Sequence, residues 1–108
     1  MVLDEISKTV ERRKAEPKEG SYTNYLLEKG LDKVLKKVGE ESAETIIAAK
    51  NPNNGELVGE VADLLYHLTV MLSVRGLDWQ PVWEELEHRE LKEGNLKTKQ
   101  HPETVSDY

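Results

Sequence analysis

A chain of 108 residues is one domain, large enough for a core yet small enough that oligomerisation would help it considerably. The absence of cysteine excludes disulfides, thiolate metal sites and a cysteine nucleophile, and fits a reducing cytoplasm. A net charge of −6 argues against a surface that holds nucleic acid through its phosphates, and the acidic start Met1–Glu5 lacks the basic flank of a signal peptide.

Leu3, Ile6 and Val10 recur at helical spacing, which predicts a first amphipathic helix from Val2 to Lys14, ended before Pro17 and Gly20. Ser21 stands where an N-cap would, ahead of a short helix that Gly30 closes or bends into the next. Leu31, Val34, Leu35, Val38, Ile46 and Ala49 form one stripe of a long helix running to Lys50. Asn51–Gly55 reads as a turn, short enough to make its flanking helices antiparallel neighbours. The helix that follows, Glu56 to Arg75, is apolar nearly all round, as expected of the centre of a core. Gly76 ends it, and Pro81 starts another that carries Val82, Trp83 and Leu86. No segment is expected to span a membrane. From Gly94 to Tyr108 almost nothing can be buried, so a single domain over 1–93 is expected to carry a mobile tail over 94–108. No strand pattern competes and phenylalanine is absent, so the predicted fold is all-α, an antiparallel bundle of four to five helices completed by homodimerisation.

Two acidic clusters interrupt these helices: Glu40-Glu41-Ser42-Ala43-Glu44 and Glu60-Val61-Ala62-Asp63. Residues three apart share a helix face, so Glu41 with Glu44 and Glu60 with Asp63 form two carboxylate pairs on consecutive helices. One pair on an exposed face means little, but the second lies on a helix with no wet face to offer. Four converging carboxylates need a positive partner, and an oxygen-only set favours magnesium or manganese over zinc. His67 shares that narrow polar side and reads better as a hydrogen-bonded neighbour than as a ligand. Tyr66 reads as a core aromatic with its hydroxyl hydrogen-bonded. Lys37 lies one turn before Glu40 and Glu41, placed to face an anion drawn by the metal. Other basic residues, at Arg12-Arg13-Lys14 and at Lys33 and Lys36, read as solvated faces. A di-iron bundle would need two Glu-x-x-His motifs, and only Glu85–His88 supplies one. A P-loop is absent from the sequence, so phosphate must be held through metal and lysine.

Glu-Glu-x-x-Glu followed by Glu-x-x-Asp resembles the all-α, MazG-like nucleoside triphosphate pyrophosphohydrolases. Gly20-Ser21-Tyr22-Thr23, Leu35–Glu41, Ala48–Asn51 and Ala62–His67 narrow the resemblance to the phosphoribosyl-ATP pyrophosphohydrolase family of histidine biosynthesis, from the first helix to about Arg89. The resemblance implies that Glu41, Glu44, Glu60 and Asp63 hold magnesium in a helical homodimer that splits phosphoribosyl-ATP into phosphoribosyl-AMP and pyrophosphate. Within that reading Glu40 positions or deprotonates the attacking water. Lys37 contacts phosphate, while Lys33 and Ser21, Tyr22 and Thr23 order the substrate end. Two other readings stand beside it: a house-cleaning pyrophosphohydrolase acting on other nucleotides, and a non-catalytic dimeric module binding a structural ion.

Overall fold

The computed structural model describes residues 1–97 and consists of α1 (Val2–Ala15), α2 (Tyr22–Lys29), α3 (Leu31–Lys50), α4 (Asn54–Val74) and α5 (Gln80–Lys97), with no strand among the described residues. The all-α expectation is met. Two units divide the chain: Met1–Asp78, with α1 to α4, and the segment from Trp79 onward, with α5.

Local chemistry sets the helix ends. Asp4 and Glu5 open α1 and Arg12, Arg13 and Lys14 close it, so its charges oppose the helix dipole at both ends. Ser21 caps α2 by accepting a hydrogen bond from the Asn24 amide. Gly30, at φ 90°, ends α2 and starts α3 in one residue; a side chain there would be strained. Asn53 caps α4 by accepting from the Glu56 amide at 3.1 Å. That cap draws Asn54 and Gly55, expected in the turn, into the first turn of α4.

Within the first unit, α4 packs against α1, α2 and α3. The centre is Val10, Leu26, Val34 and Val70, one fully buried side chain from each of four helices. Ile6, Leu27, Tyr66, Met71 and Val74 pack around them. Near the C-terminal end of α4, Ser73 donates to the Glu11 carboxylate, and Lys14 bridges Glu11 at 3.0 Å and the Ser73 carbonyl at 2.5 Å. The Ser73 hydrogen bond, opposed by burial and helped by Lys14, holds the Glu11 carboxyl below its ordinary value.

One expectation needs correction. By length and composition α4 could cross a membrane, because its three acidic residues are diluted by a long apolar run. Its packing against three helices is instead that of a bundle's central helix. In one chain this packing leaves much apolar surface open: Ile46 and Ile47 late in α3 and Val58 early in α4 are each more than 60% exposed.

In the second unit, Trp79 and Trp83 stack with ring centroids 5.0 Å apart. The helix α5 continues past Gly94 to Lys97, so the first residues of the expected tail are helical; the remainder, 98–108, lies outside the described residues.

Leu26→Ala should therefore lower the unfolding free energy by about 2–5 kcal/mol, since it empties the point where four helices meet. Leu91→Ala, on the exposed face of α5, should change it by less than about 0.5 kcal/mol. Urea denaturation of both variants measures the contrast.

Candidate active site

The short link at 51–53 turns the chain back, so that the C-terminal half of α3 lies along the N-terminal half of α4. Glu41 then meets Glu60 and Asp63, and one ligand oxygen from each can be chosen so that all lie within 4.8 Å of one another. Glu41 is buried, at 6% exposure; Glu60 is half-buried and Asp63 exposed. Glu44 stands beside them, sharing hydrogen bonds with Glu60 and Glu41.

Such crowding is legible in the proton affinities. Burial, then Glu44 and Asp63, push the Glu41 carboxyl above its ordinary value, against a small opposing pull from His67. The shared hydrogen bond with Glu44, followed by desolvation and the charges of Glu44 and Glu41, pushes Glu60 up to about 7. One oxygen of each, Oε2 of Glu41 and Oε2 of Glu60, is buried without a hydrogen-bond partner. Buried carboxylate oxygens are rarely left so. A hard dication fits this set on chemistry, since every donor in the group is a carboxylate oxygen.

His67 is buried next to the group, its Nδ1 4.0 Å from Oε1 of Glu41. Both ring nitrogens are engaged. Nδ1 lies 2.8 Å from the Asp63 carbonyl, which can only accept, so Nδ1 carries the proton. Nε2 is then left to accept from the Tyr22 hydroxyl at 2.9 Å. Thr23 and Tyr66 are joined by a hydrogen bond between their hydroxyls. Thus the Ser21-Tyr22-Thr23 element does not merely sit near the acidic helices: its first residue caps α2 and its next two fasten α2 to α4.

Lys37 bridges the edge of the cluster, 3.5 Å from Glu40 and 3.9 Å from Glu41. Burial works against its charge, but Tyr22, Glu40 and Glu41 outweigh that and leave its pKa raised, so it stays cationic. Glu40 is half-exposed and outside the group of three ligand candidates. Lys33 lies against the Tyr25 ring, as does Lys29. Neither Tyr25 nor Lys29 stands out in the sequence, although Tyr22, Tyr25 and Lys29 follow one another at helical spacing on α2.

Residues 3–90 match the family described as phosphoribosyl-ATP pyrophosphohydrolase. A phosphoribosyl-ATP pyrophosphatase of Listeria welshimeri is 58% identical over 97 residues, covering 90% of each chain. One of Lactiplantibacillus plantarum is 54% identical over 95 residues, 88% of this chain and 90% of the relative. A histidine biosynthesis bifunctional protein HisIE of Thermoanaerobacter pseudethanolicus is 57% identical over 84 residues, 78% of this chain but 39% of that longer protein.

The carboxylate crowding predicts an unusual pH response for the metal-free protein. Glu60 titrates near 7 when folded against an ordinary 4.5, so between those values the folded state binds more protons than the unfolded state. Its contribution to stability therefore falls as pH rises through that window. In chelator, the melting temperature of Glu60→Gln should decline less from pH 5 to 7.5 than that of the unsubstituted protein. Adding Mg2+ at pH 7.5 should raise the melting temperature of the unsubstituted protein. Parallel pH profiles for the two proteins, or no response to Mg2+, would count against the cluster as drawn.

Proposed function

The chain belongs to the phosphoribosyl-ATP pyrophosphohydrolase family, and we propose that it hydrolyses phosphoribosyl-ATP to phosphoribosyl-AMP and pyrophosphate at the carboxylates of α3 and α4. The observation that carries this reading is the convergence of Glu41, Glu60 and Asp63 with two buried, unpartnered oxygens. This is the second step of histidine biosynthesis, and we place it in the cytoplasm.

Magnesium, or manganese in its place, would be held by Glu41, Glu44, Glu60 and Asp63; when bound it supplies positive charge against the polyphosphate and Lewis acidity. The protein's own groups do the rest. Lys37, kept cationic, contacts a phosphate oxygen, and in turning to it loosens its hold on Glu40. Glu40, reachable from solvent, takes a proton from the water that attacks phosphorus, and the phosphoanhydride bond to pyrophosphate breaks. His67 keeps Tyr22 and the backbone of Asp63 in register. Ser21, Tyr22 and Thr23 shape the substrate end by fixing α2 on α4, and Lys33 lies further along the same side as a second cation.

The active form is a homodimer. Ile46, Ile47, Val58 and Val61 leave an apolar surface on the same half of α3 and α4 that carries the carboxylates, and a second copy would cover it.

Pyrophosphate release assayed with phosphoribosyl-ATP beside a panel of nucleoside triphosphates tests the assignment directly. Glu41→Gln and Asp63→Asn should each lower kcat by at least about 100-fold, equivalent to losing several kcal/mol of electrostatic stabilisation. Their melting temperatures in chelator should hold or rise, because like-charge repulsion is relieved. Full activity in both variants, or activity undiminished in excess chelator, would sink the metal-dependent reading, and equal turnover of ATP would replace the histidine-pathway substrate with a broader set.

Sedimentation equilibrium at micromolar concentration should give a dimer, and Val58→Glu should shift it to monomer. A folded, fully active monomer would show that one chain closes its own core.

A further inference from the structure

A nucleoside triphosphate bearing an added ribose 5-phosphate has anionic groups on opposite sides of its base. An enzyme that prefers it over ATP needs a second anion site, set apart from the carboxylates. Many basic residues here are already neutralised: Lys8, Lys14, Lys37 and Arg89 each reach a carboxylate. Lys29 and Lys33 make no ion pair among the described residues. What separates them from other unpaired cations, such as Lys36 and Lys50, is that both gather on one ring, their Nζ atoms 5.8 and 5.9 Å from the centroid of Tyr25. The ring offers each a favourable face, but two like charges brought together without a counter-ion repel. A dianion beside the ring removes that penalty, and two long, flexible side chains can both reach it.

The placement relative to the carboxylates also fits. Lys33, Lys37 and Glu41 follow one another at four-residue intervals on α3, on one face of the helix. Lys33 is thereby separated from Glu41 by about 12 Å along the axis. A second route joins the same two points through the aromatic rings. Tyr25 lies near-parallel to Tyr22 at 6.0 Å, Tyr22 is hydrogen-bonded to His67, and His67 abuts Glu41. Tyr22 and Tyr25 are each more than 40% exposed, which leaves aromatic surface for a purine between the two ends.

We propose that Lys29, Lys33 and Tyr25 form the subsite for the ribose 5-phosphate of phosphoribosyl-ATP, with the exposed edges of Tyr22 and Tyr25 lying along the base. This rests on the function proposed above and assigns its selectivity to α2 and the start of α3. Tyr25 gathers the two ammonium groups, and the distal phosphate is the anion they lack.

The test is the ratio of kcat/KM for phosphoribosyl-ATP to that for ATP, measured in the full chain with Mg2+. In Lys29→Ala/Lys33→Ala the ratio should fall about 30-fold, as expected for loss of two charge-assisted contacts, and the change should lie in KM for phosphoribosyl-ATP. Lys29→Arg/Lys33→Arg should recover most of it, and Tyr25→Leu should show a smaller loss of the same kind. Lys36→Ala, on the same helix, serves as the control for net charge. An unchanged ratio in the double alanine variant, or the same loss in Lys36→Ala, overturns the subsite while leaving the function standing. If the unsubstituted protein itself shows no preference for phosphoribosyl-ATP, the function fails and the subsite fails with it.

Discussion

Mutual repulsion among carboxylates at a helix–helix contact is the constraint around which this structure is arranged. Glu41, Glu60 and Asp63 converge, with Glu44 alongside, and the partial burial that brings them together also removes the water that would screen them. The two raised carboxyls and two unpartnered oxygens are the signature of a site whose charge is not balanced from within the protein. Lys37 touches only the edge, at Glu41 and Glu40, and His67 spends both nitrogens elsewhere. A set of oxygen donors with no internal cation is suited to a hard metal ion.

Holding such a contact together requires stabilisation from elsewhere. The buried centre formed by Val10, Leu26, Val34 and Val70 joins α4 to α1, α2 and the start of α3, away from the carboxylates along the helices. The Glu11, Ser73 and Lys14 cluster fixes the far end of α4 to α1. The helix α2 has 8 residues, too short to be stable by itself. Its capping Ser21 and the bonds Tyr22 to His67 and Thr23 to Tyr66 make it part of the site's frame. The Ser-Tyr-Thr element is thus structural, and its Tyr22 meets His67 beside the carboxylates.

The same arrangement explains why a helix as apolar as α4 carries acids at all. Its C-terminal half supplies Val70 and Ser73 to the packed core, whereas its N-terminal half supplies Glu60 and Asp63 to the cluster and Val58 to an open apolar surface. The carboxylate cluster and the open apolar surface occupy one half of one helix pair.

The all-α class, the ends of α1 and α3, the capping role of Ser21 and the pairing of two acidic clusters were legible in the sequence, because caps, glycines and helical spacing act within a few residues. The turn after α3 was legible in place but not in extent, since whether Asn53 or a later residue caps α4 depends on one side-chain hydrogen bond. Family motifs likewise lie in short runs, so the kinship with phosphoribosyl-ATP pyrophosphohydrolases could be read from residues 20 to 67. Only the folded chain decided that Glu41 is the buried member of its cluster, that Tyr22 reaches His67 across 45 residues, and that Lys29 and Lys33, from different helices, share the Tyr25 ring. Those facts depend on how α2 and α4 lie against α3, and helical periodicity fixes the face a residue occupies without fixing which face of another helix it meets.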